Sequence, residues 1–342
     1  MRIIPDFMLT KIDDIINKYS LISDKDVFVA YSGGKDSLFL CIALRELGYK
    51  VFPVIVDIGY NTNWTHAFEI IKEYNMDALL LNNDYLLHNH PDIIPLVEGL
   101  FSRVVEIAKG NQQSSTICTP CYNAKMTILR EWAEANGISQ IAMGHHGTDA
   151  ISSMIKSYYY YVDRWFNNNI TFNYSRYCDL VHSQIDVFSL PVEEFINTNV
   201  NERLSTLLKD GFVGTDEPVA QFIADSSIKL YRPLYSLYEC DIIRFYNKAE
   251  KATLIDGVID FKSKISNTEC FLANFRNDGY MTPRELIQFK LLQSANVDLM
   301  DYLLKKCTES IDEKGFLKYN VRNNRCDILG STYKGAAEIK KL

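Results

Sequence analysis

A chain of 342 residues in which 47% are hydrophobic can bury a substantial core, as one large domain or two smaller ones. Its formal net charge of -7 does not mark a nucleic-acid binder, because phosphate contacts need clustered Lys and Arg, yet a local basic groove can sit on an acidic protein. No stretch reaches the roughly 18 uninterrupted apolar residues of a membrane span, and MRIIPDFMLTKIDDIINKYS, broken by Asp and Lys, lacks the apolar run of a signal peptide, so a soluble cytoplasmic protein with no membrane partner is expected.

The apolar spacing of residues 9–20 predicts an amphipathic helix. VFVAY, at 27–31, reads as a buried strand, and SLFLCIALRELGY as a helix ending near Gly48. Cys41 lies in that helix's apolar run and reads as a packed core residue. KVFPVIVDIG is a second strand, THAFEIIKEYNM a second helix and DALLLNN a third strand. His88 and His90, in LLHNHPD, read as part of a polar loop before a proline. A helix is expected around 91–109, another over AKMTILREWAEANG closing at Gly137, and a fourth strand over ISQIAMGHH. Strands alternating with helices across short connections predict an α/β fold, a parallel sheet with helices on both faces.

Beyond Asp149 the pattern weakens. An aromatic and asparagine-rich stretch contains four consecutive tyrosines, Tyr158 to Tyr161, which cannot share one helix face and are expected to pack rather than to stack bases. Residues 191–227 are acidic with few strand signals. IKLYRPLYSLYECDIIRFYNKAE restores the alternation with a strand, a turn at Pro233 and a helix. The segment 281–342 looks mainly helical, able to cover a crevice or to form a homodimer surface. The expected organisation is a core over 1–150, a variable insertion over 151–230, and a C-terminal part over 231–342 that completes the core and adds helices.

Ligands of parallel sheets bind beyond the carboxyl ends of the strands. SGGKDS, DIGYN and GHHGTD all follow strands and should converge on one crevice. In the first, Gly33 and Gly34 permit a sharp turn and leave backbone N–H groups unshielded, just where a helix N-terminus adds its own. Lys35 contributes a mobile positive charge, and Ser32 and Ser37 contribute hydroxyls. Asp36 repels phosphate unless Mg²⁺ lies between them. The spacing is neither that of a Walker A loop nor that of a dinucleotide fingerprint.

The hexapeptide Ser32-Gly33-Gly34-Lys35-Asp36-Ser37 resembles the PP-loop signature SGGxDS of the N-type ATP pyrophosphatases, whose fold is that of the adenine nucleotide alpha hydrolase-like (HUP) group. That resemblance implies a site that holds ATP and transfers AMP to a substrate oxygen with loss of pyrophosphate. It places Asp57, at the end of the second strand, near the adenosine, and Gly144, His145 and Asp149 at the same nucleotide.

A second motif narrows the class. Cys118 and Cys121 form a C-x-x-C at a helix start, which on its own suits half a zinc site, a redox pair or part of an iron–sulfur site. Eight cysteines in a reducing compartment are not expected to build a disulfide framework. Together the C-x-x-C, the following basic helix, GHH..D and the later RPL…DI..F segment resemble the tRNA 2-thiocytidine synthetase group of the PP-loop enzymes. The resemblance implies a [4Fe-4S] cluster on three cysteines with one open iron for sulfur, the third ligand falling on Cys270. Zn²⁺ or bare thiols, with a persulfide on Cys118 or Cys121, are the other options, and Cys240 is a weaker ligand candidate. This sequence departs from the group in having no second C-x-x-C and in reading HHGTD where HHRDD is usual.

The expected function is an ATP-dependent sulfurtransferase with Mg²⁺, in which Cys118, Cys121, Lys35 and Asp36 are catalytic. The acceptor would be tRNA or a small nucleobase-like molecule, and the sulfur donor sulfide or a cysteine desulfurase persulfide. An amide-forming PP-loop ligase and a non-catalytic nucleotide-binding regulator are the competing classes.

Overall fold

Strand β1 (Asp26–Ala30) carries a short apolar run that alternates between two covering layers. Phe28 and Ala30 pack against the helix α5 (Cys118–Ala135), where Trp132 meets the Phe28 ring edge-on at 5.7 Å. Val27 and Val29, buried, face the other side. The computed structural model describes residues 3–57, 64–89, 91, 95, 118–166, 185–197, 215, 217–224, 226–248, 253–255, 258–260 and 283–318.

The chain forms two compact units. The first comprises Met1–Gly147 and Phe222–Thr282, the second Thr148–Gln221 and Pro283–Leu342. In the first, β1 pairs in parallel with β2 (Lys50–Val56) on one side and β4 (Gln140–Met143) on the other. β3 (Leu79–Leu81) continues beyond β2, and β6 (Lys229–Tyr231) beyond β4, both parallel. With β5 (Ala220–Phe222) at the edge, the order is β3-β2-β1-β4-β6-β5. The neighbours of β1 are reached by opposite windings of the chain, which makes its carboxyl end a topological switch point.

The helices follow from their apolar faces. α1 (Asp6–Lys18) buries Met8, Leu9, Ile12 and Ile16, positions one turn apart. α2 (Lys35–Glu46) is buried nearly all round, and its Phe39 meets Phe245 of α8 (Glu239–Lys248) edge-on at 5.1 Å. α3 (Trp64–Glu73) packs Ala67, Ile70 and Ile71. α4 (Asn83–Asn89) stands where a loop is expected from sequence. The Asn82 side chain accepts from the Tyr85 amide (3.0 Å) as a cap, and His88 Nδ1 donates to the Asp84 carbonyl (2.8 Å). The helix expected around 91–109 lies almost wholly outside the described residues, as do His90, Cys270 and residues 319–342.

The second unit joins α6 (Gly147–Phe166) and α7 (Val192–Asn197) to the helices α9 (Pro283–Ser294) and α10 (Val297–Glu309). Cys307 of α10 is fully buried, with its thiol 3.6 Å from Met154 Sδ of α6. Asn296 caps α10 by accepting from the Leu299 amide (3.2 Å) and donates to the Leu190 carbonyl (2.8 Å). The C-terminal helices therefore share a unit with the insertion, while β6 and α8 return to the first unit. Among the described residues, no helix is long and apolar enough to cross a membrane.

Candidate functional site

The site grows from the turn between β1 and α2. Gly33 lies at φ +82°, a conformation that L side chains rarely adopt. Gly34 caps α2 with no side-chain hydrogen bond, and the first helical amide to bond back is that of Leu38, to the Gly34 carbonyl at 3.1 Å. The amides of Lys35, Asp36 and Ser37 thus form an open first turn, where the helix dipole favours an anion. Two loop amides are instead held by hydroxyls: Ser32 N–H donates to Ser37 Oγ (3.2 Å) and Gly34 N–H to Ser32 Oγ (3.3 Å). Ser37 Oγ in turn donates to the Gly34 carbonyl (3.1 Å). Both serines therefore brace the turn from inside.

Lys35 is held at both ends. Its ammonium reaches Asp36 Oδ1 (2.9 Å), Asp36 Oδ2 (2.8 Å) and Glu239 Oε1 (3.0 Å), and its carbonyl accepts from the buried Tyr246 hydroxyl (2.7 Å). Burial opposes the lysine's charge, but Asp36 and Glu239 outweigh it and hold the ammonium protonated well above the usual lysine value. Burial, reinforced by Asp36, likewise pushes the Tyr246 phenol far up and keeps it a neutral donor. Asp36 Oδ1 also stands 3.7 Å from Nε2 of His146, a buried residue beyond β4.

The end of β4 supplies the opposite wall. A Cβ on Gly144 would lie 2.7 Å from the Ser37 nitrogen and 2.8 Å from its Cα, so only glycine lets this strand end touch the first turn of α2. His145 follows, with Nδ1 accepting from the buried Arg232 Nε at 3.3 Å. That bond assigns the Nδ1 of His145 as acceptor and leaves its proton on Nε2. Asp57, buried at the end of β2, donates its amide to the Leu81 carbonyl (2.9 Å). Ser32 to Ser37, Asp57, Gly144, His145 and His146 thus all follow adjacent strands of the first unit, as the motif positions predict. The remainder of DIGYN lies outside the described residues.

Asp149 behaves differently. It belongs to the second unit, where Oδ1 accepts from Arg284 (2.7 Å) and Gln288 (2.6 Å), one turn apart on α9. Arg284 also engages both oxygens of the buried Glu217, at 3.1 Å on Oε2. Its carboxylate is committed to a brace between α6 and α9.

Cys118 and Cys121 occupy the first turn of α5. α5 runs back antiparallel to the strands into β4, so this turn lies at the carboxyl end of the sheet, the end that carries the loop. Cys270 lies outside the described residues. Cys240 stands in the first turn of α8, where burial, and then Asp241, push its thiol up and make it a poor thiolate ligand. Among the described residues, no group of three or more His, Cys, Asp or Glu could hold a metal ion.

Sequence reasoning missed Glu239, Tyr246 and Arg232 as members of this site. All three lie in YRPLYSLYECDIIRFYNKAE, which signals a strand, turn and helix but not which side chains turn toward the loop.

A strand–SGGKDS–helix turn at the switch point of a mostly parallel sheet defines the chain as an α/β protein with a loop similar to the PP-loop. No protein-family model matches it. Over 160 residues it is 29% identical to tRNA-cytidine(32) 2-sulfurtransferase 2 of Francisella tularensis subsp. holarctica, covering 45% of this chain and 54% of that one. Over 149 residues it is 28% identical to tRNA-cytidine(32) 2-sulfurtransferase of Dichelobacter nodosus, covering 42% and 51%. The chain therefore spans about half the length of the curated relatives it matches. A structural alignment with the U34-tRNA thiolase NcsA from Methanococcus maripaludis with its [4Fe-4S] cluster has TM-score 0.40 and 14% identity, over 88% of this chain and 79% of that one. In its loop and in these relatives, the chain is similar to the PP-loop proteins of the tRNA 2-thiocytidine synthetase group.

Proposed function

We propose that this chain is an ATP-dependent sulfurtransferase that adenylates a nucleobase carbonyl oxygen of tRNA and replaces that oxygen with sulfur, releasing pyrophosphate and then AMP. The observation that carries the reading is the pairing, at one end of one sheet, of an open amide turn beside a clamped lysine with a two-cysteine helix turn. The names of the relatives, tRNA-cytidine(32) 2-sulfurtransferases, support tRNA as the acceptor.

A carbonyl oxygen is a poor leaving group. Its attack on the α-phosphorus expels pyrophosphate and converts it to a phosphate ester, which a sulfur nucleophile can displace as AMP. The first step builds negative charge on the phosphates, which the amides of Lys35, Asp36 and Ser37 and the Lys35 ammonium would offset. Asp36 orders the turn through its chelate with Lys35 and is the loop carboxylate that could hold Mg²⁺. Asp57 and His145 would border the nucleotide from the neighbouring strand ends. Sulfide held near Cys118 and Cys121 would displace AMP directly. A persulfide delivered to one of them by a cysteine desulfurase would form a disulfide to the carbon that the other cysteine cleaves, leaving a Cys118–Cys121 disulfide for an external thiol to reduce. With Cys270 the two cysteines could hold a [4Fe-4S] cluster, which would supply an open iron for that sulfur.

The amide-forming ligase reading has no use for the cysteine pair. Pyrophosphate release measured with tRNA and with free nucleobases, alongside sulfur incorporation, tests the proposal. Pyrophosphate with sulfur in tRNA is the expected result; an amine product or no turnover with any acceptor overturns it. Anaerobic purification with iron, sulfide and zinc analysis and an absorption spectrum separates cluster, zinc and bare thiols.

A further inference from the structure

We propose that Glu239 holds the place of a nucleotide phosphate on Lys35, and that triphosphate binding proceeds by exchanging this carboxylate for a phosphate oxygen. The inference rests on the reading of the loop as a triphosphate site and deepens it. An ammonium has three N–H donors. Those of Lys35 meet three carboxylate oxygens, two from Asp36 at 2.9 and 2.8 Å and one from Glu239 at 3.0 Å. A phosphate can gain the lysine only if one of these contacts is given up. Asp36 holds by two bonds from the adjacent residue and moves with the lysine's own turn, whereas Glu239 holds by one, from a different helix. Glu239 is therefore the contact that exchanges.

The surroundings favour such an exchange. The side chains of Lys35 and Glu239 are only 18% and 19% exposed, so a lysine N–H left without an acceptor there would be costly even with Asp36 in place. Glu239 satisfies it until another anion arrives. The backbone of Lys35 stays anchored during the exchange, because the Tyr246 hydroxyl holds its carbonyl from about two turns further along α8. Helix α8 thus fixes the loop by one contact and yields it by the other. Glu239 acts through Lys35 and is a positioning residue for nucleotide entry.

The test is the affinity of the full chain for an ATP analogue with a methylene bridge between the α and β phosphates, measured by calorimetry. Glu239→Gln removes the competing charge, and one unit charge a few ångströms away is worth about a factor of ten in such surroundings. The expected result is binding about tenfold tighter than wild type. Glu239→Asp keeps the charge but withdraws it by one methylene, and should tighten binding by less, about threefold; it serves if the amide variant does not fold. Asp241→Asn is the control. It removes a charge from the same helix turn while an amide oxygen can still accept from the Tyr238 amide, and it should leave affinity unchanged. Unchanged or weaker binding in both Glu239 variants overturns the proposal, and so does equal tightening in Asp241→Asn, which would reveal a long-range charge effect. A wild-type chain that does not bind the analogue sinks the triphosphate reading together with this one. A wild-type chain that binds while the Glu239 variants do not gain sinks this one alone.

Discussion

Gly144 and Ser37 meet backbone to backbone: any Cβ at 144 would intrude to 2.7 Å from the Ser37 nitrogen. The contact sets how closely the end of β4 approaches the amide turn of α2, and therefore the shape of the proposed phosphate site. Gly144→Ala must push one element off the other, because neither partner is a flexible side chain. We expect a loss of about 1–3 kcal/mol of stability, the usual cost of overpacking, and at least tenfold weaker ATP binding. Thermal unfolding and calorimetry check the two effects separately.

Lys35→Ala and Asp36→Ala should each lower pyrophosphate release by about 100- to 1,000-fold, the typical cost of removing one preorganised electrostatic group. Near-normal release in either would refute the assigned roles. The raised lysine value bears on pH. A group whose folded value lies above its unfolded one stabilises fully below the unfolded value and loses that contribution as pH rises through the folded one. The ammonium should therefore stay charged throughout the neutral and mildly alkaline range, and ATP affinity should show no lysine titration below about pH 10.

Cys118→Ala and Cys121→Ala should retain ATP binding and pyrophosphate release but lose sulfur incorporation. The helix turn that carries them is separate from the phosphate turn, so the two half-reactions should come apart. Retained sulfur transfer in either variant removes the cysteine half of the mechanism.

Tyr246→Phe deletes one hydrogen bond, the tie between α8 and the Lys35 carbonyl. A cost of about 1 kcal/mol in stability is expected, with a rise in the KM for ATP larger than the fall in kcat. A fall in kcat alone would show that the tyrosine does not hold the loop for binding.

In the second unit, Arg284→Ala would remove the counter-charge from the buried carboxylates of Asp149 and Glu217. Breaking a buried pair typically costs about 3–5 kcal/mol; the partial exposure of Arg284 places the expectation at the lower end. Asp149→Asn should be milder, since an amide oxygen can still accept from Arg284. Denaturant unfolding measures both, and an Asp149→Asn chain that unfolds normally but loses ATP binding would return Asp149 to the nucleotide.

Most of the first unit was legible in the sequence because its signals are local. VFVAY, KVFPVIV and QIAM are short apolar runs bounded by turns, and the helices between them repeat their apolar residues at one-turn spacing. α4 was not legible, because its cap, Asn82, looks like the polar turn residues around it. The division into units was not legible either, since helical periodicity in 283–309 says nothing about which partner covers the apolar face.

Residues 32–37 declared their turn unaided, since two glycines between a strand and a helix constrain the backbone over a few bonds. What Lys35 touches could not be read there. Its partner Tyr246 is 211 residues away, and Asp149 meets Arg284 across 135. Such pairings depend on how the sheet brings distant segments together and on which side chains burial forces to find a counter-charge. Local pattern determined the loop, and only tertiary packing decided that a carboxylate from α8 would share its lysine.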